Sequence, residues 1–206
     1  MEDSYMYRIK EECENLIEIE KSRFITYLFR VFSEEEAKAN LLMIQKLHPN
    51  ATHHCYAFII GAHDEIQRSN DNGEPAGTAG VPMLESLKRH KMQDTLAITV
   101  RYFGGIKLGT GGLIVAYKAA AAEALDKAEV VEKTIDLTLE VFFEYPMMND
   151  VMRIVKEEEP MVVEQDFQMD CRLRLSIRAS RMSRLRERYE QLEIETGRIR
   201  VEEPKG

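Results

Sequence analysis

The chain has 206 residues, enough for one large or two small domains, and 44% of them are hydrophobic, enough for a core. A net charge of −8 argues against a generally basic nucleic-acid binder, and no apolar run approaches the ~20 residues that span a bilayer. Three widely spaced cysteines without a CxxC pair fit a reduced, cytosolic protein.

The acidic N-terminus "MEDSYMYRIKEECENL" lacks the apolar stretch of a signal peptide, and its methionines and tyrosines read as a packing edge. "ENLIEIEKSRFITYLFRVF" reads as two strands with a turn near Lys21–Ser22. "SEEEAKANLLMIQKLHPN" predicts a helix opened by a capping box, Ser33 with Glu36, and closed before Pro49. "THHCYAFIIGAHDEIQRSND" reads as a strand, a bend at 61–64 and a second strand; "DNGEPAGTAGVP" follows as a long turn and loop. "VPMLESLKRHK" predicts a helix with Pro82 in its first turn and a cationic last turn. "TLAITVRYF" is a strand, and "GGLIVAYKAAAAEALDKAE" a helix whose alanines allow close packing.

Eight of the 11 glycines fall between Gly73 and Gly112, and the next is Gly197. A turn-rich part thus precedes one of regular elements, with a boundary near 132–136 and expected domains at 1–132 and 136–206. In the second part "DLTLEVFF" is a strand with Leu137, Leu139, Val141 and Phe143 on one face. A helix "YPMMNDVMRIVKEEE" ends at Pro160, "MVVEQDF" and "DCRLRLSIR" are strands, "SRMSRLRERYEQL" is a helix and "GRIRVEE" a last strand. The order βαββαβ is the ferredoxin-like pattern, so the fold class is α+β.

Several constellations carry possible chemistry. Five of the nine residues from 104 to 112 are glycine: Gly104, Gly105, Gly109, Gly111 and Gly112. They follow a predicted strand and open a helix, where backbone amides can bind an anion together with Lys107 or Arg101. Neither a Walker loop nor a dinucleotide fingerprint fits, because no Lys-Ser/Thr follows and Ile114 occupies the third glycine position. The glycines equally serve a tight strand-to-helix turn. Asp71 and Glu74 form a carboxylate pair suited to acid–base or metal chemistry, but Asp-Asn-Gly is also ordinary turn chemistry. His53 and Cys55 share one strand face, as a nucleophile pair or as packing, with His54 on the other. Residues 171–200 hold nine arginines against four acids. Arg172, Arg174 and Arg178 share a strand face that could touch phosphates, or pair with Glu140, Glu164 and Asp166.

With "KSRFI" at 21–25, "THHCYAFIIG" at 52–61, "DNGEPAGTAGVPML" at 71–84 and "VRYFGGIKLGTGGL" at 100–113, the chain resembles the IMPACT family, most closely its bacterial YigZ-type members. One departure is Val115, where members often carry arginine before Ala116-Tyr117. The resemblance implies an N-terminal domain like the second domain of a small-subunit ribosomal protein, a fold shared with GHMP kinases. It implies a C-terminal ferredoxin-like domain similar to those of elongation factor G. Eukaryotic members are linked to translation control, where they restrain a starvation-responsive initiation-factor kinase by occupying its activator. The expectation is a cytoplasmic, non-enzymatic regulator of translation without cofactor or metal, binding RNA, the ribosome or a translation-associated protein. The alternative is an enzyme acting on a small phosphorylated or nucleotide ligand at the glycine loop.

Overall fold

The computed structural model describes residues 4–168 and 170–203, which form an α+β structure of two sheets and, among the described residues, five α-helices. The chain divides into two compact units, one of residues 6–133 and one of 134–203 with 4–5.

In the first unit β2 (Cys13–Ile19) and β3 (Ser22–Arg30) form a hairpin, followed by α1 (Glu34–Leu47), β4 (His53–Ile60), β5 (Ile66–Asn70), α2 (Gly80–Arg89), β6 (Thr95–Tyr102) and α3 (Gly109–Lys127). The sheet order is β2-β3-β6-β4-β5, with every pairing antiparallel. Strand β6 is central and buried from Thr95 to Arg101. Its alternate residues serve two cores: Leu96, Ile98 and Val100 join the cluster that includes Ala37 and Ile44 of α1, while Ala97 joins the cluster built with α2 and α3. On that second face small residues meet small residues, Ala57 and Ala97 against Ala116, Ala120 and Ala124. Alanine on both sides lets helix and sheet approach closely, so the alanine run in α3 is a packing device.

The α1 capping box forms with one change. Ser33 Oγ accepts from Glu36 N at 3.1 Å, but the Glu36 carboxylate accepts from Phe32 N at 2.8 Å, one residue before the cap. The N-terminal packing edge proves to be a strand, β1 (Ser4–Ile9), in which Met6 and Ile9 are buried and Tyr5 is exposed. Helix α3 begins at Gly109, two residues earlier than its apolar pattern indicates.

The second unit contains β7 (Val130–Glu144), whose first residues belong to the first unit, then α4 (Met148–Glu158), β8 (Met161–Phe167), β9 (Asp170–Arg178), α5 (Ala179–Thr196) and β10 (Ile199–Glu202). The sheet order is β1-β7-β9-β8, with β10 also paired to β7. Leu139, Val141 and Phe143 of β7 and Cys171, Leu173, Leu175 and Ile177 of β9 pack on the apolar faces of α4 and α5.

At the end of α4 the Glu158 carboxylate is buried and accepts from Arg184 Nε at 3.0 Å and Arg188 Nη1 at 2.8 Å. Burial works against its charge, but the hydrogen bonds and charges of Arg188 and Arg184 outweigh it, so its pKa lies below the ordinary 4.5. A lowered folded pKa means that this stabilisation is complete above the unfolded value and is lost as pH falls through the folded one. Glu158→Gln should therefore lower stability near neutral pH by about 1–3 kcal/mol. Urea unfolding against pH should find the difference from the parent shrinking below pH 4.5.

Candidate functional site

The four sequence stretches at 21–25, 52–61, 71–84 and 100–113 meet at one end of the first unit's sheet. The reason is topological. Strand β6 lies between β3 and β4, and the registers set Phe24 and His53 opposite Arg101 on its two sides. Period two points Arg101 to the same face as Ala97, toward α3.

At the centre of this end, Glu74 Oε1 accepts from Arg101 Nη1 at 2.7 Å and from the Tyr117 hydroxyl at 2.7 Å. Both partners are withdrawn from water, with the Glu74 side chain 3% and the Arg101 side chain 7% exposed. Arg101 Nη2 also donates to Ser22 Oγ at 3.5 Å, and Gly104 N donates to the same hydroxyl at 3.2 Å. The guanidinium lies 5.5 Å from the Phe24 ring centroid and 5.7 Å from that of Phe103, within cation–π range. Its Nε is buried without a partner. His53 Nε2 stands 3.7 Å from Glu74 Oε2, while its Nδ1 is 2.8 Å from the Asn72 carbonyl and donates to it.

Asp71 and Glu74 do not act as a pair. Asn72 and Gly73 both have positive φ, and the chain reverses between the two carboxylates. Asp71 accepts from Gly77 N at 2.8 Å, Ala79 N at 2.9 Å and Gly80 N at 2.8 Å. Burial opposes its charge, but these three amides prevail and hold its pKa below the ordinary 3.8. A carboxylate thus caps the start of α2, where helix amides favour negative charge. Cys55 is packing rather than a nucleophile: its single S–H donates to the Asp71 carbonyl, 2.9 Å from the sulfur, and the Tyr117 hydroxyl lies 3.4 Å from the same sulfur. Burial pushes its pKa up to about 12, so the thiolate is scarce at neutral pH. His54 faces the opposite side, with Nε2 3.0 Å from the His48 carbonyl.

Among the glycines, Gly104 belongs to this cluster. A Cβ there would lie 2.0 Å from the Lys21 carbonyl carbon, so only glycine fits against the β2–β3 turn. That turn is itself strained, because Glu20 and Lys21 both hold positive φ without being glycine. Gly105, Lys107, Gly109 and Gly111 are exposed and make none of these hydrogen bonds. Gly105 and Gly109 have positive φ, and a Cβ at Gly112 would touch Leu108 Cβ at 3.1 Å. Gly111 meets neither condition: its φ is not positive and a Cβ would point into open space. Val115 is 66% exposed on α3, while Tyr117, two residues on, points inward. Among the described residues no group of three His, Cys, Asp or Glu side chains is placed to hold a metal ion, and no helix is long and apolar enough to cross a membrane.

The arginines of β9 lie on the sheet face away from the helices. Arg174 Nε and Nη2 donate to Glu140 Oε1 at 2.9 and 2.7 Å, and Arg172 pairs with Glu164. Arg178 is exposed. Across the β10–β7 pair the Arg200 guanidinium covers the Phe142 ring at 4.7 Å. Sequence reading missed Ser22 and Tyr117 as site residues, although both lie in or beside the quoted stretches. Period-two placement of Ser22 and helical placement of Tyr117 would have put them on the buried faces.

The fold and this end of the sheet define a two-unit α+β protein with a closed glutamate–arginine cluster. The Impact N-terminal domain family matches residues 20–125, which includes every residue of the cluster. The chain is 46% identical to IMPACT family member YvyE of Bacillus subtilis over 158 residues, covering 77% of this chain and 73% of that protein. It is 38% identical to IMPACT family member YigZ of Escherichia coli, covering 81% and 82%. A crystal structure of a hypothetical protein is similar with a TM-score of 0.73 at 30% identity, covering 98% of both chains. The chain belongs to the IMPACT family.

Two predictions separate shape from grip. Glu74→Gln or Arg101→Met, each leaving a buried partner unpaired, should destabilise by about 3–5 kcal/mol, and the double variant by less than the sum. A double-mutant cycle by chemical denaturation measures the coupling. Gly104→Ala should destabilise strongly, whereas Gly111→Ala should raise stability by about 0.5–1 kcal/mol in the same assay.

Proposed function

We propose that the protein is a non-enzymatic, cytoplasmic regulator acting at translation, which engages RNA, the ribosome or a translation-associated protein. The reading rests on membership of the IMPACT family, whose eukaryotic members are linked to translation control. One observation favours a binding scaffold over an enzyme. The most chemically equipped cluster, Glu74 with Arg101, Tyr117 and Ser22, is buried and spends its hydrogen bonds on itself. Its polar groups hold four chain segments in register instead of facing a substrate.

The first unit is read as like the second domain of a small-subunit ribosomal protein, related to GHMP kinases. The order β10-β7-β9-β8 within the βαββαβ unit agrees with a ferredoxin-like domain similar to those of elongation factor G. Its open face carries Arg172, Arg174 and Arg178 for phosphate contact, with Phe142 as a stacking ring. Because Glu140 and Glu164 already hold Arg172 and Arg174, RNA must displace those carboxylates, which makes the contact weak and salt-sensitive.

A second reading, an enzyme on a small phosphorylated or nucleotide ligand, is favoured by the start of α3. Its cap residue Leu108 supplies no side-chain bond, and Gly111 has no steric need to be glycine. Ligand at 100 times its dissociation constant would raise stability by about 2.7 kcal/mol.

Gradient sedimentation of lysates tests the first reading. The protein should travel with ribosomal or RNA-bound fractions at low salt and leave them at high salt. Free sedimentation at low salt, with a thermal shift on nucleotides or phosphosugars, would replace it by the second.

A further inference from the structure

Helix α1 crosses one face of the first unit's sheet and leaves a trough beside it. The floor is the Tyr27 and Phe29 rings of β3, stacked with centroids 6.5 Å apart at 18°. One wall is α1, where Met43 and Leu47 stand one turn apart and are 47% and 61% exposed. The other wall is the edge strand β2. The opening measures about 260 Å³.

The chemistry of the β2 wall is one-sided. Residues 11–20 contain Glu11, Glu12, Glu14, Glu18 and Glu20 and no lysine or arginine. Cys13, Ile17 and Ile19 turn into the core shared with α3, so period two sends Glu12, Glu14, Leu16 and Glu18 to the α1 face. The register sets Glu14 opposite Tyr27 and Leu16 opposite Ile25. Burial first, and the Glu14 charge second, push the Tyr27 hydroxyl up to about 12, which ties that carboxylate to the trough.

An apolar, methionine-walled trough with an acidic rim has a definite complement. Methionine and leucine adapt to varied apolar side chains. The carboxylates attract lysine and arginine, and repel the phosphates of nucleic acid and anionic lipid. We infer that this trough docks a basic, amphipathic segment of a partner protein, its apolar side chains against Met43, Leu47 and Tyr27 and its cations against Glu12 and Glu14. The inference goes beyond the proposed role at translation and does not depend on the arginine face of the other unit.

The full chain, with its methionine methyl groups labelled for NMR, is titrated with a short leucine–lysine amphipathic peptide and with its leucine–glutamate counterpart. The lysine peptide should bind and shift the Met43 methyl resonance, weaken with salt, and outcompete the glutamate peptide. Met43→Ser/Leu47→Ser and, separately, Glu12→Gln/Glu14→Gln should each weaken binding by about tenfold with unfolding midpoints unchanged. Four outcomes overturn the inference. The lysine peptide fails to bind at low salt; both peptides bind equally; neither variant pair weakens binding; or the chain self-associates through the trough, seen as a dimer that Met43→Ser/Leu47→Ser dissolves, which makes a second copy the occupant.

Discussion

The buried contact between Glu74 and Arg101 is the constraint around which the first unit is arranged. Taking both charges out of water is costly, and attraction alone seldom repays it. Here much of the remaining capacity is met, the Arg101 Nε excepted: Tyr117 gives Glu74 a second donor, Ser22 accepts from Arg101, and two aromatic rings flank the guanidinium. Each supporting group comes from a different stretch of chain. Ser22 begins β3, Glu74 lies in the loop before α2, Arg101 is the last residue but one of β6, and Tyr117 is in α3. The pair can persist only when all four are seated, so an interaction of modest net worth makes their placement interdependent.

Asp71 extends the same logic by a different route. Its carboxylate occupies the amides at the start of α2, and its carbonyl receives the Cys55 thiol. The loop 71–80 is therefore fixed at both ends of a short reach, with Asp71 on the helix and Glu74 on the sheet. Two acids close in sequence look like a catalytic pair. In this chain they are two anchors, because positive φ at Asn72 and Gly73 turns them apart.

Local signals were legible in the sequence, and long-range partners were not. The α1 cap was readable because Ser33 and Glu36 are three residues apart and act through nearby backbone. The strand holding Arg101 was readable, and period two then fixes the face that Arg101 shares with Ala97. The partner of Arg101 is 27 residues away, and no pattern names it. Strand β1 escaped notice because, among its described side chains, Met6 and Ile9 alone are buried, too few to set an alternation. The glycines divide in the same way. Gly105 and Gly109 answer to their own backbone angles, but Gly104 answers to the carbonyl of Lys21, a requirement written in another segment.

Arginine behaves differently in the two units, and the contrast bears on how a surface is used. In the first unit one arginine is buried and organises a fold. In the second, Arg172, Arg174, Arg184 and Arg188 are each met by glutamate, and Glu140, Glu158 and Glu164 are each shared by two of them. The excess of arginine after residue 171 is thus largely neutralised by the acids that precede it, and composition overstates the positive field. Among the described residues the carboxylates of 11–20 form no ion pair within 4 Å, and they stand beside the apolar residues of α1. Unpaired charge retains its long-range field, whereas paired charge contributes mainly to shape. On that basis the acidic edge of the first unit has the stronger means of selecting a charged partner.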